Sequence, residues 1–244
     1  MENASIALSL VSGALFIAAY CDYLNTAMRG GGKPNWITWV IFLMVGIVNA
    51  MSYFSVTRDW LKCIIPGINF VFALLMVLVA FLCGRTKKPG FSGILALLVG
   101  VAAALMGIWK DSSIVANMAI QVAILIGFIP TWQSVWNDPM AEPFRPWFAW
   151  AASYIALVGV VAMRWKDEPL ELVYPISCTI LHASVPILCI LRAKARGPKQ
   201  RLCQQLVWVR QAIKRGVVAH TFAGDPLVAY RKQEARLARL VGEK

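Results

Sequence analysis

Apolar stretches of membrane length recur along the chain, and short polar or glycine-rich segments separate them. A helix needs about 20 residues to cross the ~30 Å hydrocarbon core of a bilayer, at a rise of roughly 1.5 Å per residue. The stretches are continuously apolar rather than alternating, and only helices or closed barrels can span lipid, so the pattern predicts membrane-spanning helices. Seven spans are predicted, at residues 5–24, 36–56, 60–83, 91–109, 113–136, 146–163 and 170–191.

The composition agrees with a membrane protein and gives no sign of catalysis. Of the 244 residues, 59% are hydrophobic and 15% are charged, whereas soluble domains have about 25% charged residues. The six cysteines are scattered without a metal-ligand spacing, so we predict neither disulfides nor a metal site. The sequence has no phosphate-binding loop, zinc-protease motif or hydrolase motif, which predicts a protein that is not an enzyme and takes no cofactor.

The basic charge belongs to the C-terminal tail. Residues 193–244 hold 12 Lys or Arg and 3 Asp or Glu, a net charge of +9, against +3 for residues 1–192. The overall charge is therefore poor evidence for a specific nucleic-acid partner. Apolar residues recur at helical spacing between the cations, which predicts basic amphipathic helices, one of them at about residues 226–241. Such helices usually lie on an anionic leaflet, and docking to a cytoplasmic partner is the alternative.

The two halves of the chain carry a weak internal repeat. Pro34 precedes the second span and Pro143 the sixth, and each is followed by two tryptophans three residues apart. Pro66 and Pro175 lie early in the third and seventh spans, 109 residues apart. The predicted order is three helices, one spacer helix and three helices. Because the spacer adds one span, both triplets face the same way, a transporter design that places the site at the repeat interface near midplane.

These features resemble the PQ-loop/SWEET (MtN3-like) membrane superfamily over about residues 5–192. The resemblance rests on the three-one-three order, on the Gly-Phe-Ile-Pro-Thr stretch at 127–131 and on the paired loops. The Lys-Pro-Asn-x-x-Thr-Trp loop at 33–39 is similar to that of a bacterial branch whose function is not established. The resemblance implies a hinge at Pro130, and a solute pocket lined by polar residues on the third helix of each triplet, here Asn69 and His182. Thr131 departs from the family motif, where a glutamine is expected, and the first span has no proline.

The polar residues of the spans can also be weighed by themselves. His182 lies in the middle of its span, where an ionisable residue binds solute, shuttles a proton or is held neutral by a neighbouring helix. Asn69 follows the helix interruption predicted at Pro66, so we expect it to face a cavity. Three other polar residues are expected to form hydrogen bonds between helices, namely Asn49, Asn117 and Gln121. The alternative is that they take part in the solute site.

The sequence thus predicts an all-α integral membrane protein with four parts. These are a three-helix repeat (1–84), a spacer helix (85–111), a second three-helix repeat (112–192) and a basic cytoplasmic tail (193–244). We expect a bacterial cytoplasmic (inner) membrane location, with the N-terminus outside, since cationic segments favour the cytoplasm. The leading function is a carrier of a small polar solute, a sugar among the candidates, by alternating access. The alternative is a non-transporting membrane anchor or assembly subunit whose tail recruits a partner. The sequence does not decide whether the chain forms a homo-oligomer.

Overall fold

The regular secondary structure of the described residues is entirely α-helical, and short turns connect the helices. The computed structural model describes residues 2–28, 36–82, 113–195 and 226–241, together with scattered positions within 91–105 and 202–210. Over these residues, six helices are long and apolar enough to cross a membrane, and one further helix lies in the basic tail. They are α1 (Glu2–Met28), α2 (Trp36–Thr57), α3 (Ile64–Leu82), α4 (Ser113–Asn137), α5 (Phe144–Met163), α6 (Leu170–Ala195) and, in the tail, α7 (Pro226–Val241).

The prediction of an all-helical integral membrane protein is confirmed, with six candidate spans among the described residues. Large apolar side chains such as Leu10, Met51, Ile155 and Ile180 point away from the bundle and are at least 60% exposed. In a membrane this outer surface contacts lipid, which is as apolar as the side chains themselves. The predicted spacer span at 91–109 lies outside the continuously described residues, so the seventh span stays a prediction.

The predicted start of the third span was wrong. Residues 60–63 form a turn in which the Asp59 carboxylate accepts a hydrogen bond from the Leu61 amide at 3.0 Å. The helix therefore begins at Ile64. Pro66 lies within its first turn, where a missing N–H leaves no helix hydrogen bond unmade, so it does not interrupt a helix.

The six spanning helices form a closed ring. Neighbours around the ring follow the order α1, α3, α2, α4, α6 and α5, and α5 packs back on α1. We call α1–α3 and α4–α6 the first and second triplets. In each triplet the third helix therefore lies between the first and the second. Gly127 permits the close approach of α4 to α2, since an added Cβ would lie 3.1 Å from side-chain atoms of Ile41 and Phe42.

Side-chain contacts define the two ends of the ring. At the end called here the amino end, Arg164 after α5 binds Asp59 after α2 and Ser5 near the start of α1. At the opposite end, called the tail end because α6 finishes there, Tyr23 late in α1 binds Glu142 between α4 and α5. Helices α1 and α4 therefore run in the same direction.

The tail helix has its own small core. Leu237 of α7 packs against Leu206 and Val209, and all three side chains are at most 6% exposed. Arg210 pairs with Glu234 at 3.0 Å beside this contact. The predicted helix at 226–241 is thus present, with an apolar side that packs against another segment of the tail.

Candidate functional site

A small cavity lies inside the ring between the two triplets. Its volume is about 20 Å³, which is room for roughly one water molecule. Both predicted solute-binding residues, Asn69 and His182, line this cavity. The other polar side chains of its lining are Asn49, Tyr154, Tyr174 and Cys178.

His182 presents a defined tautomer to this cavity. Its Nδ1 lies 2.8 Å from the Cys178 carbonyl oxygen. A carbonyl only accepts hydrogen bonds, so Nδ1 carries the hydrogen and Nε2 is left as an acceptor. The ring is 7% exposed and packs against Phe128 and Tyr154, with centroids 5.1 Å and 4.9 Å away. This geometry fits both roles predicted from the sequence. His182 can be a neutral residue that is held by packing, or its Nε2 can accept a hydrogen bond from a solute.

The two asparagines of the cavity differ in how their oxygens are paired. Tyr20 donates to Asn69 Oδ1 at 2.7 Å, which fixes the amide and leaves its NH₂ group as a donor. Asn49 is 3% exposed, and its Oδ1 has no hydrogen-bond partner within the described structure. A buried oxygen without a donor costs free energy, of the order of 1–3 kcal/mol. A water or a solute in the cavity would supply that donor.

The remaining polar residues of the spans differ in whether they form the predicted hydrogen bonds between helices. Gln121 of α4 accepts a hydrogen bond from Ser177 of α6 at 2.9 Å, as expected of a contact between helices. Asn117 is buried, but neither amide atom has a partner among the described residues, so the expected bond is missing there. Pro130 is buried within α4 and does not belong to the cavity lining.

Five aromatic side chains close the ring on the tail-end side of the cavity. This aromatic cluster has ring centroids 4.8 to 6.3 Å apart, and each member is at most 2% exposed. Contacts of this geometry add about 0.5–1.5 kcal/mol per pair beyond their burial. The cluster joins the two triplets, and it consists of Tyr20, Tyr23, Trp39, Trp147 and Trp150.

Glu142 lies on the tail-end side of this cluster, in the loop between α4 and α5. The residue is 4% exposed. Oε2 accepts hydrogen bonds from the Tyr23 hydroxyl at 2.7 Å and from Trp147 Nε1 at 3.2 Å. Burial raises the pKa of Glu142 from 4.5 to about 7, although the two donors act in the opposite direction. Pro143 follows as the N-cap of α5 with extended backbone, which helps to turn the carboxyl inward.

Glu142 was not among the predicted site residues. Loop acids are ordinarily solvated, and the sequence does not show that this loop folds against the aromatic cluster. The sequence signal that could have indicated Glu142 is the internal repeat. Glu142 precedes Pro143 in the same way that Lys33 precedes Pro34, 109 residues earlier. Lys33 itself lies outside the described residues.

Ion pairs join the two triplets at the amino end. Lys62 and Glu171 are 2.6 Å apart and at most 1% exposed, and Arg164 pairs with Asp59. Tyr53 adds a hydrogen bond to the Glu171 carbonyl oxygen at 2.7 Å. These two pairs are called the amino-end ion pairs. None of these four residues was among the predicted site residues.

The arrangement is a small cavity with polar and apolar lining, and contacts between the triplets lie on each side of it, the aromatic cluster toward the tail end and the ion pairs toward the amino end. Over the described residues, no group of three or more His, Cys, Asp or Glu side chains could hold a metal ion. Comparison with protein families, with curated proteins and with solved structures finds no match to this chain.

Proposed function

We propose that the chain is a carrier that moves a small polar solute across a membrane by alternating access between two three-helix repeats. The observation that carries this proposal is the central cavity, which is lined by polar groups of both triplets. Contacts between the triplets close it on both sides, through the aromatic cluster at the tail end and the ion pairs at the amino end. A purely structural bundle does not need a cavity lined by polar groups from both triplets.

The proposed architecture is two parallel repeats, α1–α3 and α4–α6, joined by the spacer helix predicted at 91–109. Exchanging the triplets leaves the order of helices around the ring unchanged. Positions 109 or 111 residues apart also meet face to face, since Lys62 binds Glu171 and Trp39 contacts Trp150 at 6.0 Å. Such meetings are expected for equivalent residues on a two-fold axis that runs along the membrane normal.

The backbone supports the same repeat. Arg58 and Asp167, 109 residues apart, both have positive φ angles, of 49° and 60°. Few residues other than glycine adopt this conformation. Each lies in the connection between the second and third helices of its triplet, so the two connections turn in a similar way.

The size and the lining of the cavity bear on which solutes fit. Sites for small molecules usually have volumes of about 300–1,000 Å³, so a cavity of about 20 Å³ is too small for a sugar in this arrangement. The triplets must separate at one end before a solute enters. Among the described residues the lining has no Asp, Glu, Lys or Arg, which favours a neutral solute with hydroxyl groups, such as a sugar.

Pro130 is the proposed hinge of the second triplet. Proline removes the N–H that would bond to the Ile126 carbonyl, so α4 bends more easily at this point. The neighbouring Thr131 bonds to Thr38 of α2 at 3.1 Å, which ties the bend to the other triplet. Helix α1 has no proline, so we expect the second triplet to bend more than the first.

We propose that the tail end faces the cytoplasm, because the basic tail follows α6. The N-terminus and the amino-end ion pairs then lie on the outer side, in the cytoplasmic membrane of a bacterium. Opening the amino end would admit solute from outside. Opening the tail end would release it to the cytoplasm.

Uptake by reconstituted vesicles tests the carrier and its site together. With radiolabelled glucose and a panel of other neutral sugars and polyols, we expect uptake of at least one. Asn69→Ala and His182→Ala should each lower it about tenfold, the effect of about 1.4 kcal/mol in the transition state. Asn117→Ala is the matched control, because it truncates a buried asparagine outside the cavity, and uptake should stay unchanged. Equal uptake by wild type and both cavity variants would refute the site.

The second candidate function is a membrane anchor or assembly subunit. The tail favours it, because Arg231, Lys232, Arg236 and Arg239 are exposed around a helix that has its own apolar contacts. Charges arranged in this way suit an anionic surface, on a membrane or on a partner protein.

A further inference from the structure

The Glu142 carboxyl group lies at the interface that must open at the tail end. Tyr23 binds it from the first triplet, and Trp147 binds it from the second, so one oxygen atom connects the two. Separation of the triplets at this end would break the bond to Tyr23 and expose the carboxyl group to water. The environment of Glu142 therefore differs between the closed and the open arrangement.

Among the described residues, the groups around Glu142 provide hydrogen bonds and no positive charge. Tyr23 faces it from α1, and Cys189 and His182 lie on the adjacent part of α6. Asp138 belongs to the same loop, and it carries the same charge as an ionised Glu142. Arg145 and Arg192 are the nearby cations of α5 and α6, and neither forms an ion pair with Glu142 within the described residues. Arg192 instead lies over the Trp136 ring, 4.2 Å from its centroid.

A buried carboxylate that has donors but no cation among the described residues is costly, so burial makes the closed arrangement favour the protonated acid. The pKa of Glu142 is about 7 when buried and returns toward 4.5 when the group is hydrated. Between these values, closing the tail end takes up a proton. Closure therefore weakens as the pH rises from about 4.5 to about 7, and it weakens no further once the closed state also holds an ionised carboxylate.

We propose that Glu142 is a proton-binding site that couples closure of the tail end to the uptake of one proton. The proton comes from water and binds to Oε1, while Oε2 continues to accept the bonds from Tyr23 and Trp147. Opening of the tail end exposes the acid, which releases its proton on that side of the membrane. The site makes the proposed carrier proton-coupled, and it depends on the proposed separation of the triplets.

The test measures opening directly and needs no solute. Spin labels are placed at Asn25 and Arg145, which are exposed on the tail ends of α1 and α5, in a variant whose other accessible cysteines are replaced by serine. Pulsed electron resonance then gives the distance between the labels in vesicles from pH 5 to pH 9. We expect a short distance in acid and a population of longer distances that grows as the pH rises from about 4.5 to about 7 and levels off above about 7.

Two variants connect this response to Glu142. Glu142→Gln mimics the protonated acid, so the distance should stay short at every pH. Tyr23→Phe removes a donor that favours the ionised form, so the midpoint should move to higher pH. Asp22→Asn is the control, because it neutralises a half-buried acid at the same end of α1, and its response should match wild type.

A wild-type distance that does not change with pH would overturn the proposal, as would an unchanged midpoint in both Glu142→Gln and Tyr23→Phe. Infrared spectra of the same samples should show a protonated carboxyl band that is lost above pH 7 and is absent in Glu142→Gln. A pH response without uptake of any solute would refute the carrier and leave the proton site standing. Uptake without a pH response would refute the proton site alone.

Discussion

At the scale of single residues, the chain places its polar groups where they meet across the triplet interface. Asn69 and His182 reach the same cavity from α3 and α6, and Asn49 adds an oxygen with no donor among the described residues. Lys62 and Glu171 are 109 residues apart in the sequence, and their opposite charges pair at 2.6 Å between the triplets.

Breaking the buried amino-end pair should destabilise the protein strongly. Lys62→Met leaves the Glu171 carboxylate buried without a cation, and loss of one partner of such a pair costs about 3–5 kcal/mol. The double variant Lys62→Met/Glu171→Leu should recover most of that loss. Thermal unfolding of the purified protein in detergent measures both effects.

The tail provides the matched control for this prediction. Arg210→Ala breaks the Arg210–Glu234 pair, whose side chains are 42% and 30% exposed. Exposed pairs contribute about 0–1 kcal/mol, so the unfolding temperature should hardly move. If Lys62→Met proves as mild as Arg210→Ala, the amino-end pair does not hold the triplets together.

At the scale of elements, the six spanning helices and the tail helix are separate parts with separate cores. The cavity and both sets of contacts between the triplets belong to the helices α1–α6 and their connections, whereas α7 packs against Leu206 and Val209 of the tail. The carrier proposal assigns transport to the ring of six helices. The anchor alternative assigns the function to the tail.

Deletion of residues 197–244 separates these two functions. A carrier should keep its uptake within about twofold, because the deletion leaves every residue of the cavity and of both closures in place. An anchor should lose its partner in a pull-down from membranes, while its helices still insert. Abolished uptake by a truncated protein that is correctly inserted would count against the carrier.

The sequence predicted the helices well because lipid imposes a length and an apolar composition that are visible residue by residue. It did not predict the start of α3, since Trp60 and Leu61 are apolar yet belong to a turn. Asn69 and His182 could be chosen because polar residues inside spans are unusual. Glu142 and Lys62 could not, because their burial depends on how the loops pack across the ring.

At the scale of the whole molecule, contacts between the triplets lie on both sides of a cavity of about 20 Å³. The amino-end ion pairs and the aromatic cluster both join one triplet to the other, so neither closure can open without relative motion of the triplets. If only one closure opens at a time, the cavity is reached from one side and then from the other. Alternating access is this exchange between two populations.

Accessibility of Cys178 tests this central claim most directly, because its thiol lines the cavity and is 1% exposed. In a variant that keeps Cys178 and has serine at the other five cysteines, a membrane-impermeant maleimide is added to one side of the vesicles at a time. The same variant with Cys178→Ser gives the background. Alternating access predicts labelling from both sides. Labelling from one side only, or from neither, would contradict the account.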